Sequence, residues 1–333
     1  MDNNEVKSNE QIYKFVPIAK ETLKPGSSYP YNIYRKTDER IFDLLLRKSE
    51  VFSQSLECVS LDYKQSKIYI LESDKYVYRD YIQKHISHLI EDESINLDVK
   101  SSLIKEIASE TMNDLFESDV NSENLQKVDN VLNSSIQLIL NDSKAMYSML
   151  KVTSYDYYTY THCVDVATYA IGFGNFLKLD LEEVKILGKA AMLHDIGKKM
   201  IPYEIIGKNG TLTKEEFEKV KEHPLLSAKL LEKTGENNPR VLTLVMQHHE
   251  KCDGSGYPCG LKEPEIDRLS RIISICDVFN ALTTRRTYKT RMSSFDAFKI
   301  MCSDIKNHLS KEYLTKFIGF MGCSDNNFNI GQN

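Results

Sequence analysis

Apolar residues recur at helical spacing through the second half of the chain. One stripe follows Asp180, and another precedes Asp277; their members are Val184, Leu187 and Ala191, and Leu269, Ile272, Ile273 and Cys276. Asp180–Glu183 and Thr213–Glu216 both have the form of a capping box, which marks the start of a helix. The pattern predicts an all-helical C-terminal domain over residues 151–322. The polar residues 323–333 are expected to form a frayed tail.

The first half of the chain shows a different pattern, and residues 1–150 are predicted to form a separate accessory domain. Its α+β part covers about residues 10–72. Partial alternation at Ser55–Tyr63 and a β-branched run at Lys67–Leu71 predict strands. Pro25–Ser28 predicts a turn, because proline and glycine favour turn conformations.

Two further segments of this half are predicted to be helical. Arg40–Lys48 carries Ile41, Leu44 and Leu45 at positions that share one helical face. From about Tyr76 to Lys151 the chain is strongly charged, with apolar residues at helical spacing. The fold class is therefore mainly α: a C-terminal helical bundle with a smaller N-terminal α+β domain.

Composition limits the functional classes. The net charge of −5 argues against binding along duplex nucleic acid, which normally requires a basic surface. Met1–Glu10 lacks an apolar segment typical of a signal peptide, and no run of eighteen apolar residues predicts a membrane span. The seven cysteines include no CxxC pair, which indicates reduced thiols. These features predict a cytoplasmic protein.

Histidines and two aspartates form the candidate chemistry. Five of the eight histidines lie between residues 162 and 249, each on or at the end of a predicted helix: His162, His194, His223, His248 and His249. Asp195 and Asp277 lie beside or within apolar stripes. A buried carboxylate needs a compensating charge or several hydrogen bonds, and a metal ion supplies that charge.

Mixed imidazole and carboxylate ligands suit iron, manganese or zinc better than magnesium or calcium. Seven ligands exceed the four of one tetrahedral zinc, but they fit two octahedral ions bridged by Asp195. Two metals roughly 3.5–4 Å apart can generate a hydroxide and hold phosphate oxygens. A lone histidine is usually a surface or satisfied core residue, and this interpretation applies to His85, His88 and His308. An isolated His-Asp pair is also weak evidence.

The contexts of these residues resemble one family. His194–Lys198, which reads HDIGK, resembles the core motif of the HD phosphohydrolase superfamily, and His248–Pro258 resembles the signature of its HD-GYP subgroup. Asp277–Lys289 resembles the block that follows in that subgroup. Lys208, Leu212-Thr213 and His223-Pro224 match the segment between them. The resemblance covers roughly residues 150–320, and the N-terminal part more weakly resembles an accessory domain often fused to such proteins.

The resemblance implies hydrolysis of cyclic di-GMP to linear pGpG, and in some members onward to GMP. It implies a centre of two or three metals, usually iron or manganese. The implied metal ligands are His162, His194, Asp195, His223, His248, His249 and Asp277. Asp195 and Lys198 would be catalytic. Lys198, Arg286 and Lys289 would contact substrate phosphates, and arginine suits this role because it can grip a phosphate bidentately.

Each of these roles has an ordinary alternative. Lys198 could be a solvated lysine near a helix end, and Arg285, Arg286 and Lys289 could form a solvated face. The loop around Tyr257 could be a structural turn, or Tyr257 could face a guanine or a partner domain.

The sequence departs from the family pattern at four positions. Tyr158 stands where members with three metals tend to carry glutamate, so we expect two metals. Asn280 replaces a frequent aspartate; its amide can keep a hydrogen bond to a ligand but carries no charge. Thr287 replaces a frequent proline, and Cys252 stands at a variable position.

Three functional hypotheses follow. The first is an active cyclic-di-GMP phosphodiesterase, favoured by the complete ligand set. The second is a signalling module that binds a cyclic dinucleotide, or a protein partner through the loop at Tyr257, with little catalysis. The third is the same enzyme class with another substrate. The N-terminal domain is interpreted as regulatory or as the interface of a homodimer.

Overall fold

The computed structural model describes residues 5–8, 11–38, 40–52, 67–152, 159–208, 210–284 and 292–322. Contacts between residues divide the chain into two compact units, residues 1–107 and 108–333. The first is called the sheet unit and the second the helical unit. None of the helices in the described ranges combines the length and apolarity that a membrane span requires.

The sheet unit contains a five-stranded antiparallel sheet in the order β1-β2-β5-β3-β4. Its strands are β1 (Glu5–Ser8), β2 (Gln11–Ile18), β3 (Ile33–Asp38), β4 (Ile41–Leu46) and β5 (Ile68–Leu71). The predicted strand at Lys67–Leu71 and the turn at Pro25–Ser28 are confirmed. Gly26 adopts a φ of 85° in that turn, a conformation that favours glycine. The predicted strand Ser55–Tyr63 lies outside the described residues.

The predicted helix at Arg40–Lys48 is wrong, because Ile41–Leu46 forms strand β4. β4 pairs with β3, with Leu44 opposite Tyr34, and the register shifts twice along this pair. Those irregularities break the strict alternation by which a strand is recognised. The ring of Phe42 stacks on Phe15 at a centroid distance of 3.9 Å. Pairing between distant segments therefore overrides the local helical spacing.

Most of the other regular elements within the described residues are helices. In chain order they are α1 (Lys75–Glu91), α2 (Leu97–Glu117), α3 (Ser122–Asn141), α4 (Lys144–Lys151), α5 (Thr159–Phe176), α6 (Leu181–Leu193), α7 (Tyr203–Ile206), α8 (Lys214–Val220), α9 (His223–Lys233), α10 (Pro239–Gln247), α11 (Arg268–Thr283), α12 (Ser294–Ser303) and α13 (Lys311–Gly322). A 3₁₀ helix, Ile196–Met200, follows α6. The mainly helical fold with a smaller sheet is the predicted class.

Both predicted helix starts are present. Thr213 and Glu216 form a complete capping box at α8. Asp180 caps α6 by accepting a hydrogen bond from the backbone N–H of Glu183 at 2.9 Å. These caps satisfy amide groups that the first helical turn leaves without a partner.

The division between units differs from the sequence-based boundary at residue 150. Helices α3 and α4 belong to the helical unit because they pack against α5 and α6. Leu132 on α3 approaches Gly188, and Met146 on α4 approaches Gly172 so closely that a Cβ there would clash. Helices α3 and α4, although rich in polar and charged residues, therefore contribute to the apolar core of the unit that contains the metal-ligand candidates.

Candidate metal centre

The seven predicted ligands come from five places in the helical unit, and the structure brings all of them together. His162 lies on α5, His194-Asp195 ends α6, and His223 begins α9. His248-His249 follows α10, and Asp277 lies on α11. All are buried except His249, whose side chain is 27% exposed. Their donor atoms form two neighbouring groups, and a third, overlapping group joins His194 and Asp195 to the buried Cys163.

The first group contains His162, His194 and Asp277, and the second contains Asp195, His223, His248 and His249. Within each group the donor atoms lie within 4.8 Å of one another. In the first group His162 Nε2 lies 3.0 Å from Asp277 Oδ1. In the second, His223 Nε2 lies 3.2 Å from His248 Nε2.

Asp195 faces both groups. Its Oδ2 lies 3.4 Å from His194 Nε2, whereas its Oδ1 lies 3.1 Å from His223 Nε2 and 4.0 Å from His248 Nε2. One carboxylate oxygen is thus directed to each group. This is the arrangement expected of a bridging carboxylate in a two-metal site.

Hydrogen bonds fix which nitrogen of each imidazole faces inward. The Nδ1 atoms of His194, His223 and His248 lie 2.6–2.7 Å from the carbonyl oxygens of Ala191, Val220 and Val245, three residues earlier. A carbonyl oxygen can only accept, so each Nδ1 donates and the neutral ring keeps a lone pair on Nε2. These lone pairs are directed into the cluster.

Asn280 has the same effect on His162. Its Oδ1 lies 2.6 Å from His162 Nδ1, and Asn280 is 2% exposed. The amide therefore accepts from Nδ1 and leaves Nε2 directed at Asp277. The expectation that an amide keeps a hydrogen bond at this position is confirmed.

Both carboxylates are held ionised in spite of burial. Burial opposes ionisation of Asp195, but the Lys198 ammonium and His194 hold its pKa well below the usual range. Burial likewise opposes ionisation of Asp277, but the neighbouring His162 outweighs it and holds the pKa of Asp277 low. The centre thus keeps two negative charges away from water.

The histidines differ in their affinity for protons. Burial and the neighbouring His249 hold the pKa of His248 well below its usual range, and burial lowers the pKa of His249 to about 3. Burial also opposes protonation of His194, but Asp195 outweighs it and raises the pKa of His194. At neutral pH His248 and His249 are therefore neutral, as metal ligands have to be.

This donor set fits divalent cations. His194 Nε2 and Asp195 Oδ1 are buried without a hydrogen-bond partner among the described residues. His223 Nε2 lies 3.1 Å from Asp195 Oδ1, but the two atoms are not aligned for a hydrogen bond. A buried polar atom without a partner costs about 1–3 kcal/mol, and lone pairs facing one another repel. A cation between them removes both penalties.

Lys198 lies at the edge of this cluster. Its Nζ is 2.6 Å from Asp195 Oδ2, and its side chain is 24% exposed. Burial opposes its protonation, but Asp195 outweighs it and raises the pKa of Lys198. The side chain therefore places a positive charge beside the ligand candidates, and its ammonium pairs with the Asp195 carboxylate.

Tyr257 is the one predicted substrate contact, besides Lys198, within the described residues. Its ring lies 4.9 Å from the ring of His249, centroid to centroid. Burial and the charge of Asp195 raise the pKa of Tyr257, so its hydroxyl stays protonated. Arg286 and Lys289 lie outside the described residues, as do Tyr158 and Thr287.

Two residues that the sequence did not single out position the ligands. Ser227 on α9 accepts a hydrogen bond from Gly197 N at 2.7 Å and donates one to His194 O at 2.9 Å. A Cβ on Gly197 would lie 2.3 Å from His223 O. Ser227 therefore links the turn at His194 to the helix that begins at His223. It lies one helical turn after His223, and this spacing is the sequence feature that could have pointed to it.

Glu250 is the second such residue. It is 3% exposed, and its carboxylate accepts hydrogen bonds from Cys259 N at 2.6 Å and Leu261 N at 2.9 Å. A Cβ on Gly256 would lie 2.6 Å from Glu250 Cα, so glycine allows the loop to fold back on this segment. Tyr257 N also donates to His249 O at 3.2 Å. Glu250 thus anchors the loop that places Tyr257 beside His249, although nothing in the sequence marked its partners.

Comparisons with known proteins identify the family of the chain. The model of the HD domain family matches residues 129–312, more than half of the chain, and the protein belongs to this family. A cyclic di-GMP phosphodiesterase of Pseudomonas aeruginosa is 34% identical over 184 residues, covering 55% of this chain and 44% of the relative. The 3'3'-cGAMP-specific phosphodiesterase 1 of Vibrio cholerae is 36% identical over 163 residues, which cover 49% of this chain and 38% of the relative. The chain thus spans less than half the length of both relatives.

A solved structure shares the fold. It is Bd1817, a HDG"Y"P protein from Bdellovibrio bacteriovorus, with a TM-score of 0.66 and 22% identity. The match covers 93% of this chain and all of the other. At this identity the likeness concerns the fold alone.

Proposed function

We propose that the protein is a metal-dependent phosphodiesterase that hydrolyses cyclic di-GMP to pGpG. The main support is the position of Asp195, whose two carboxylate oxygens face two separate groups of histidine and aspartate side chains. Two divalent ions, iron or manganese, would be held by His162, His194 and Asp277 on one side and His223, His248 and His249 on the other. Such a pair supplies Lewis acidity and lowers the pKa of water.

The chain's own residues provide the remaining functions. Lys198 keeps its proton beside Asp195, so it can neutralise phosphate charge and donate a proton to the leaving oxygen. Tyr257 closes one side of the ligand cluster with an aromatic surface. Hydrogen bonds at Nδ1 keep the Nε2 atoms of His194, His223 and His248 directed into the ligand cluster.

Turnover under anaerobic conditions tests the proposal. Protein loaded with Fe²⁺ or Mn²⁺ is incubated with cyclic di-GMP, and products are separated by chromatography. We expect pGpG, with Lys198→Met reducing the rate while keeping its metal. Absence of product with both metals contradicts the proposal. Tight binding without product supports the alternative of a cyclic-dinucleotide-binding signalling module.

A parallel reaction with 3'3'-cGAMP tests substrate choice, since three relatives of similar identity bear names specific for that nucleotide. We expect cyclic di-GMP to have the higher kcat/KM, in line with the relatives named for it. Further hydrolysis to GMP is read from the same chromatogram.

Two assembly predictions accompany this function: a homodimer through the N-terminal domain and a protein partner at the Tyr257 loop. Mass measurement of the full chain and of a variant lacking the N-terminal domain tests the first. A monomeric full chain contradicts it.

A further inference from the structure

Three side chains form a mixed aromatic and cationic surface beside the second ligand group; they are called the rim. Phe217 lies on α8, Lys221 follows one helical turn later, and Tyr257 lies in the loop anchored by Glu250. Lys221 Nζ is 5.6 Å from the ring centroid of Phe217 and 5.9 Å from that of Tyr257. A cation this close to two rings is attracted to both.

The rim is held in a fixed position relative to the metal ligands. Lys221 precedes His223 by two residues, and the Tyr257 ring lies 6.4 Å from that of His223. Helix α8 is fastened by its complete capping box and by Lys208 Nζ, which bonds both oxygens of Glu216 at 2.6 and 2.8 Å. The N-terminal end of α8, the helix that Lys221 follows, is therefore anchored.

An incoming anion can reach this ammonium. The side chain of Lys221 is 28% exposed, and Phe217 is 47% exposed. Lys221 forms an ion pair with Glu218 at 2.6 Å, but Glu218 is 68% exposed. A pair so open to water contributes little stability, so exchanging Glu218 for a phosphate costs little.

The proposed substrate requires a cation away from the metals. A cyclic dinucleotide contains two phosphodiester groups on opposite sides of one ring. When one of them lies against Asp195 and Lys198, the other lies beyond the ligand cluster and stays charged. A further cation there would stabilise this charge, beyond the phosphate contacts that the family resemblance implies for Arg286 and Lys289.

Resting on the proposed function, we propose that Lys221 binds the phosphodiester that is not hydrolysed. Phe217 and Tyr257 hold the lysine stem and offer apolar surface to the attached nucleoside. The rim then distinguishes a cyclic dinucleotide from a diester with a single phosphate.

The test removes the charge while keeping the stem. In metal-loaded protein, Lys221→Met should raise the Kd for cyclic di-GMP by about tenfold or more, the usual effect of losing a hydrogen bond to a charged group. Calorimetry measures this Kd. Lys221→Arg should restore binding, and Lys219→Met, on an exposed position of the same helix, should leave the Kd unchanged.

A second readout separates the rim from the metal centre. The kcat/KM for cyclic di-GMP, divided by that for bis(p-nitrophenyl) phosphate, should fall about tenfold in Lys221→Met, mainly through KM. An unchanged Kd, an equal loss on both substrates or a loss of metal overturns the inference. A wild-type protein that binds without turnover contradicts the proposed function but leaves the Kd comparison decisive. Absence of wild-type binding overturns both.

Discussion

Both units contain clusters of largely buried rings at similar distances, yet the two clusters place their polar atoms differently. In the sheet unit Tyr31 meets Tyr78 at 5.6 Å and Tyr81 at 6.0 Å between centroids, both edge to face. In the helical unit His194 and His248 lie 4.8 Å apart, and Nε2 atoms of neighbouring rings approach one another. Tyrosine rings bring apolar surface together, whereas the histidines bring lone pairs together.

This difference indicates what each cluster contributes. Edge-to-face contact between aromatic rings stabilises a fold by itself, and about 0.5–1.5 kcal/mol per pair is typical. Lone pairs that face one another destabilise the fold until a cation binds. The rings of the sheet unit therefore stabilise its fold, and those of the helical unit form the candidate metal-binding site.

The largest expected effect comes from Asp195→Asn. The amide keeps the shape but loses the charge that faces both ligand groups, so metal content should fall below one ion per chain. Turnover should drop by at least about a thousandfold, since metal ions supply several kcal/mol of transition-state stabilisation. Elemental analysis and a rate measurement check both values. Asp80→Asn, at an exposed ion pair on α1, is the control; retention of two metals in Asp195→Asn contradicts the bridging role.

The corresponding change in the sheet unit is Tyr31→Ala. Tyr31 is 1% exposed, and truncating a buried aromatic ring should lower the unfolding free energy by about 3 kcal/mol. Urea denaturation measures the loss. Tyr31→Phe should cost little, because the Tyr31 hydroxyl has no hydrogen-bond partner among the described residues. An equal loss in both variants shows that the hydroxyl, rather than ring packing, stabilises this cluster.

Metal removal should distinguish the two units in one experiment. A metal present at a hundred times its Kd stabilises the folded state by about 2.7 kcal/mol. Chelation should therefore lower the unfolding temperature of the helical unit and leave that of the sheet unit unchanged. Calorimetry of Tyr31→Ala protein identifies which transition belongs to the sheet unit. A shift of that transition on chelation contradicts the comparison.

A smaller effect is expected at Asn280. Asn280→Leu removes the acceptor that holds His162 Nδ1, and loss of such a partner typically weakens metal binding by about 10–100-fold. The loss should be confined to the ion held by His162 and Asp277, which a metal titration of two resolved sites measures. Asn280→Asp keeps an acceptor and should retain both ions. Equal weakening of both sites argues against separate ligand groups.

The helical unit was predictable because its signals are local. Caps at Asp180 and Thr213, apolar stripes and the spacing of HD and HH motifs all act within a few helical turns. Strand β4 was missed for the opposite reason. Ile41, Leu44 and Leu45 have helical spacing, and only pairing with β3 selects the extended conformation.

In the candidate site, too, local motifs were predictable from the sequence and contacts between distant segments were not. Motifs led to all seven ligand candidates, and Asn280 was expected to keep a hydrogen bond. The roles of Glu250 and Ser227 depend on backbone groups that folding brings to them, such as Cys259 N and His194 O. A sequence does not show which amide meets a buried carboxylate.

Anomalous diffraction from anaerobically grown crystals of iron- or manganese-loaded protein tests the central claim most directly. The account predicts two peaks about 3.5–4 Å apart, the separation of two-metal sites, with one oxygen of Asp195 directed at each. His162 and Asp277 should contact one ion, and His223 and His248 the other. A single peak, or two peaks that Asp195 does not touch, contradicts the account.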